Sequence, residues 1–296
     1  MGVPAVTSWV PAPRAVAELV RAPAALTVPG DSLAGAAAAG WPFGSRTPAL
    51  AASSVCLYWA GMALNDYADR AVDAVERPER PIPSGRVRPE AALGLAAAMT
   101  AAGIGIASTA GGRRALAAAM PLAGLIWAYD LRLKSTPAGP AAMAAARAFD
   151  VLLGAGAGRL SRAVPTAAAV GAHTLSVTLL SRREVTGTDR NVPAVALAVT
   201  ALLAGGLAAG HRAPSRPGFI ERVLLSGYAA TCGHAQFGAL RDPAAPAVRR
   251  AVSSGILALI PLQGALAARA RAPRTAAAIT AAFPLARWMS RKVSPT

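Results

Sequence analysis

The 296-residue chain is 54% hydrophobic and 15% charged, with a mean hydropathy of +0.42. Soluble domains carry about a quarter charged residues, so this composition argues against a water-soluble globule. The net charge of +16 would suggest nucleic acid in a soluble protein, but here the arginines sit in short loops between apolar runs and aromatic residues make up only 5%. Such charge sets membrane topology and meets anionic lipid, and no nucleic-acid partner is expected.

Apolar runs of about 17–25 residues are bilayer spans, and they recur at 16–39, 49–68, 91–110, 115–129, 139–157, 163–180, 193–210, 219–240, 248–268 and 275–289. The spacing predicts an all-α polytopic membrane bundle forming a single domain over 1–296, with about nine true spans. The run 219–240 is the weakest and the candidate half-span. The spans are rich in Ala and Gly, which lets helices approach closely. Pro4, Pro11 and Pro13 precede the first run, so no cleavable signal peptide is expected and the first span serves as the insertion signal.

The second span ends in Asn65-Asp66-Tyr67-Ala68-Asp69-Arg70-Ala71-Val72-Asp73. Asn65, Asp69 and Asp73 recur every four residues and share one helix face. Acids are costly in a bilayer and usually mark function there. Asn65, Asp66, Asp69 and Asp73 supply the oxygen ligands that hard cations such as Mg2+ prefer, and a diphosphate bridged to those cations fits next. The alternative, an Asp used as a helix cap, needs one acid rather than three. The loop that follows carries Arg77, Arg80, Arg86 and Arg88 on a turn shaped by Pro81, Pro83 and Gly85. Arg77 and Arg86 are candidate phosphate ligands, since guanidinium groups pair bidentately with phosphate oxygens; taken alone, the same loop reads as a solvated one.

Tyr129-Asp130-Leu131-Arg132-Leu133-Lys134 closes the fourth span. Tyr129 and Lys134 are placed to hydrogen-bond a diphosphate, or to serve as a belt tyrosine with a snorkelling lysine. Arg147 and Asp150, three apart in the fifth span, should face the bundle interior, where Arg147 touches either substrate or its neighbour. His173 reads as a core histidine, and Cys56 and Cys232 as buried thiols without metal-ligand spacing. The sixth span ends in Ser181-Arg182-Arg183-Glu184-Val185-Thr186-Gly187-Thr188-Asp189, where a second acid cluster would stand opposite the first. Glu184 and Asp189 are its candidate metal ligands, and a solvated charged loop is the competing reading. If the spans alternate, the basic loops at 70–88, 132–134 and 182–190 share one side with Arg14 and Arg21. The opposite loops hold Arg46, Arg113, Arg114, Arg159, Arg162, Arg212 and Arg216. The motif-bearing side is therefore expected to face the cytoplasm, across the inner membrane.

These motifs resemble the UbiA superfamily of intramembrane prenyltransferases. The likeness rests on Asn-Asp-x-x-Asp-x-x-x-Asp after the second span, its Arg-Pro-Ile-Pro-Ser-Gly-Arg tail, and Tyr-x-x-x-x-Lys after the fourth. Ser-Arg-Arg-Glu-Val-Thr-Gly, and Gly139-Pro140 with Arg147, look most like its EboC-like branch. The resemblance implies nine helices around a central cavity, with two Asp-rich motifs holding Mg2+ against an isoprenyl diphosphate. Asn65, Asp69 and Asp73 would then be the catalytic residues of the first motif. The chain departs from the family at the second motif, offering Ser181, Glu184 and Thr188 where acids are common, with Asp189 displaced by one. The reaction implied is prenyl transfer to a lipophilic or small-molecule acceptor within membrane lipid. The rivals are a non-enzymatic isoprenoid or lipid carrier, favoured by the altered second motif, and a soluble helical terpene synthase, which the apolar runs oppose.

Overall fold

A computed structural model describes residues 12–21, 28–40, 44–210 and 216–292, and the described elements are helical. They are α1 (Pro13–Leu19), α2 (Pro29–Ala38), α3 (Arg46–Glu76), α4 (Pro89–Ala128), a π turn (Tyr129–Leu133), α5 (Gly139–Gly154), α6 (Leu160–Ser181), α7 (Asn191–Ala209), α8 (Arg216–Arg241), α9 (Ala245–Arg269) and α10 (Pro273–Lys292). Proline opens or nearly opens α1, α2, α4, α5 and α9, where its missing N–H costs nothing. Among the described residues five helices are long and apolar enough to cross a membrane: Arg46–Glu76, Pro89–Leu133, Leu160–Ser181, Asn191–Ala209 and Ala245–Arg269.

The 45-residue segment Pro89–Leu133 would be about twice the thickness of a bilayer core if straight. It breaks at Gly112, whose φ of 59° and ψ of −145° lie where a side chain is disfavoured. The halves fold back alongside each other, so that Trp127 Nε1 donates to Thr100 Oγ1 at 3.1 Å. The two runs expected at 91–110 and 115–129 are these halves.

The first expected span, 16–39, is not one helix. Residue Arg21 stands at φ 48° just beyond α1, and Pro29 starts α2 afresh; residues 22–27 lie outside those described. With ten residues, α2 is about half a span. The half-length element is thus α2, whereas the expected half-span 219–240 belongs to α8, a 26-residue helix. α8 is less apolar than the five because it carries Glu221, Arg222, His234, Gln236 and Arg241.

Packing follows the small residues. Leu50 and Leu57 of α3 bury against Ala107, Ala115, Ala118, Ala119 and Leu122 of α4, while α6, α8 and α9 share a core around Val170, Tyr228, Cys232 and Leu262. α1 lies across one end of the bundle, where Ala15 and Leu19 meet Ala63, Leu64, Ile82, Val87, Ala92 and Ala96. Large apolar residues such as Val195, Leu202, Val223 and Phe237 stay exposed on the outer surface, as a lipid-facing wall requires.

Candidate functional site

The acidic motif forms the last three turns of α3. After Glu76 the chain turns tightly: Arg80 N donates to Arg77 O at 3.1 Å, Gly85 N to Ile82 O at 3.0 Å, and Val87 N to Pro81 O at 2.8 Å. Ile82 and Val87 are buried beneath this turn. Pinned that way, the loop aims Arg80 back at the helix, where its Nη1 lies 2.7 Å from Asp73 Oδ2 and 3.4 Å from Asp66 Oδ1. Arg77 stands 3.7 Å from the other oxygen of Asp73. Arg21, at its positive φ, reaches Asp66 at 3.4 Å from the far side. Arg86 turns the other way, onto Glu18, Ser84 Oγ and Glu79 O. Its guanidinium holds the exposed Glu18 carboxyl below its ordinary pKa.

α4 ends in the π turn, with Lys134 N donating to Tyr129 O at 3.0 Å. Such wide turns recur at functional sites because they redirect side chains. Here the turn sends two groups toward α3. Lys134 Nζ lies 2.5 Å from Asp69 Oδ1, and Asp130 accepts from Asn65 Nδ2 at 3.2 Å. Tyr129 is half-buried within electrostatic reach of Asp130, Arg182 and Asp69. Asn65, Asp66, Asp69 and Asp73 are thus gathered with Asp130, Tyr129, Lys134, Arg77, Arg80 and Arg21 at one end of the bundle.

Arg147 does not join them. Its Nε lies 3.0 Å from Asp31 Oδ2, and Gln263 Nε2 donates to Asp31 Oδ1 at 2.6 Å. Asp150 accepts from Ser54 Oγ at 2.9 Å rather than pairing with Arg147. Ser54 lies eleven residues before Asn65, so this buried centre sits about 16 Å deeper along α3. His173 is also internal, with its ring nitrogens 3.1 Å from Tyr228 Oη and from Gly255 O.

The 181–189 segment behaves differently from the first motif. Asp189 Oδ1 accepts from the backbone N–H of Asn191, the first residue of α7, at 2.8 Å. Glu184 is partly buried near Arg249, and burial raises its carboxyl pKa above the ordinary value. Thr188 N donates to Pro243 O at 3.0 Å, tying the segment to the α8–α9 turn. Arg182 alone of these side chains has a described bond toward the π turn, its Nη1 donating to Thr136 O at 2.5 Å.

The first motif offers amide and carboxylate oxygens, the donor chemistry of Mg2+. Each carboxylate is held by a base, and among the described residues no three Asp, Glu, His or Cys side chains converge as a metal cage. A cavity of about 390 Å³ opens at the other end of α3, lined by Leu33, Thr47, Pro48, Thr275 and Ala278. It lies some 22 residues from Asp69, about 33 Å along the helix, and has no acid in its lining.

Arg80, Arg21, Asp130 and Asp31 were not among the residues the sequence singles out as ligands. Asp31 alone had a signal of its own, an acid inside an apolar run.

Residues 26–208 match the family described as the UbiA prenyltransferase family. Digeranylgeranylglyceryl phosphate synthase of Methanothrix thermoacetophila is 54% identical over 63 residues, 21% of this chain and 24% of that protein. The enzyme of the same name from Methanopyrus kandleri is 45% identical over 100 residues, 32% of this chain and 35% of its own length. The matched stretches thus span a quarter to a third of these curated relatives. A solved structure of digeranylgeranylglyceryl phosphate synthase in membranes superposes with a TM-score of 0.66 at 16% identity, covering 87% of this chain and 98% of that one. At that identity the likeness speaks for the fold.

Proposed function

The chain belongs to the UbiA prenyltransferase family, and on that premise we propose that it is an Mg2+-dependent intramembrane prenyltransferase. It takes an isoprenyl diphosphate at the α3–α4 mouth and passes the prenyl group to a lipophilic acceptor. The observation that carries the reading is the meeting of Asp69 with Lys134 at 2.5 Å beside Asn65, Asp73 and Arg80. Acids for a cation and bases for a diphosphate thus stand on facing helix ends. Asn65, Asp69 and Asp73, with Asp66 beside them, would hold the metal. When bound, Mg2+ draws charge from the diphosphate oxygen and weakens its bond to the allylic carbon.

The chain's own residues do the rest. Lys134, Arg80 and Arg77 are the charge-assisted donors for the departing diphosphate, and Tyr129 adds a hydroxyl on the same side. The bond from the allylic carbon to oxygen breaks with its electron pair on the diphosphate; the acceptor's nucleophile bonds to that carbon and sheds its proton. An apolar bundle keeps water from intercepting the prenyl group. The likeness to digeranylgeranylglyceryl phosphate synthases makes a geranylgeranyl donor and a hydroxyl of a glyceryl phosphate lipid the first pair to try. The basic loops at 77–88 and 182–190 support a mouth on the cytoplasmic side of the inner membrane.

The test is diphosphate release from geranylgeranyl diphosphate by detergent-purified protein with Mg2+. Asp69→Asn is expected to lower it about 100-fold or more, with the melting temperature unchanged because Asp69 is partly exposed. Near-normal release by that variant would sink the proposal. A second reading, a carrier that binds isoprenoid without chemistry, draws on Asp189 bonding the Asn191 backbone rather than any residue of the mouth. Tight binding without release at any chain length would select it.

A further inference from the structure

The mouth is electrically lopsided in a way that bears on how a diphosphate is held. On the α3 side four carboxylates, Asp66, Asp69, Asp73 and Asp130, meet four bases, Arg21, Arg77, Arg80 and Lys134. Those four pairs cancel formally, so a metal ion joining them would favour a polyanion. The facing wall is the end of α6. Its two carboxylates make no described bond to the π turn: Asp189 accepts from Asn191 N at the start of α7, and Glu184 is partly buried near Arg249 with its Oε2 unbonded. Gly187, at φ 76°, turns the segment away toward Pro243, where Thr188 N is bonded.

What this wall does present is a guanidinium. Arg182 caps the C-terminus of α6 and donates to Thr136 O at 2.5 Å. Thr136 is in the same turn as Lys134, its N and Oγ1 both bonded to Leu133 O, at 2.9 and 2.8 Å. Gly139 makes the approach feasible. A Cβ there would stand 2.9 Å from the carbonyl oxygens of Leu133 and Lys134 and 3.4 Å from Arg182 Nη1. Arg182 is therefore seated against the backbone two residues beyond Lys134, whose side chain grips Asp69. One of its N–H groups is used on Thr136, and a guanidinium has others left to fork onto phosphate oxygens.

We propose that Arg182 binds the diphosphate directly and takes the place of a second metal ion. This chain would then hold its substrate with a single divalent cation on the α3 acids and a guanidinium on the α6 wall. The inference rests on the reading of the mouth as a diphosphate site.

The experiment uses the full chain in detergent, with Mn2+ as the spectroscopic metal and inorganic pyrophosphate as the probe. Electron paramagnetic resonance of free Mn2+ counts the metal bound with saturating pyrophosphate, and calorimetry gives pyrophosphate affinity at saturating Mn2+. One Mn2+ per wild-type chain is expected. Arg182→Gln should weaken pyrophosphate about tenfold or more without changing the metal count, Arg182→Lys should recover part of the loss, and the exposed Arg183→Gln should bind like wild type. Two Mn2+ per wild-type chain, or undiminished affinity in Arg182→Gln, overturns the proposal while leaving the prenyltransferase reading in place. Wild-type protein that binds no pyrophosphate overturns both. The metal count needs no variant, so a poorly folding substitution leaves the question answerable.

Discussion

Arg147→Gln is expected to act on stability, not on substrate. Asp31 is fully buried, and Arg147, a quarter exposed, is the base the structure places beside it, 3.0 Å away. At an effective dielectric near 20 that separation is worth about 5–6 kcal/mol of attraction, much of it offset by dehydrating both groups. Removing one partner of a buried pair costs about 3–5 kcal/mol, because the other charge is stranded. The partial exposure of Arg147 argues for the lower end, about 3 kcal/mol. At roughly 2–4 °C per kcal/mol for a chain of this size, the melting point should fall by about 6–12 °C. Tryptophan fluorescence melts in detergent read this directly. The double variant Asp31→Asn/Arg147→Gln should recover at least half the loss, since Gln263 still bonds a neutral amide. A single variant that melts within about 2 °C of wild type yet no longer binds pyrophosphate would show that Arg147 serves the mouth, and the reasoning would fail.

Under the proposed reading, Lys134→Met removes a donor to the diphosphate and should raise the Michaelis constant for geranylgeranyl diphosphate about tenfold or more; a change confined to turnover would assign Lys134 a different role. Arg86→Ala should leave pyrophosphate affinity within about twofold, because its guanidinium is occupied by Ser84, Glu79 and Glu18, and a tenfold loss by calorimetry would contradict that geometry. Gly112→Val puts a branched side chain at φ 59° and should cost at least about 1–2 kcal/mol of stability, with an unshifted melt refuting the turn.

The first motif was legible because a helix converts spacing into a face. Asn65, Asp69 and Asp73 follow an apolar run without a break, and no long-range information was needed to place them together. Gly111-Gly112-Arg113-Arg114 likewise punctuated two apolar runs that the structure folds into a hairpin. The bases were harder. Arg77, Arg80 and Arg86 are equivalent in sequence, and only the turn pinned by Ile82 and Val87 decides that Arg80 faces Asp73 while Arg86 faces Glu18. Asp130 was hidden by its neighbours, since Tyr129 and Lys134 suggest a belt pair, and the π turn that rotates it toward Asn65 has no sequence signature. Arg147 and Asp150 were expected to face inward, and they do. Their partners, Asp31 and Ser54, come from helices whose closeness depends on packing alone.

The interior polar centre and the mouth are joined by α3 itself. Ser54, Tyr58, Gly61, Asn65 and Asp69 step along one face at intervals of three and four residues. Ser54 is held by Asp150, and next to it Ser53 Oγ donates to Gly103 O at 2.6 Å, both bonds buried. A one-residue slip of α3 rotates every side chain by about 100°. It would cost these bonds and would also turn Asp69 from Lys134 and Asn65 from Asp130. The buried bonds therefore fix the register that places acids opposite bases some 16 Å away. That supplies a reason for keeping polar groups deep in lipid where an apolar core would pack as well: they specify one alignment among several that a helix of Ala, Leu and Gly would otherwise accept. On this argument Ser53→Ala and Ser54→Ala, remote from any substrate, should together blunt pyrophosphate binding at the mouth, whereas an equally destabilising change on α7 should not.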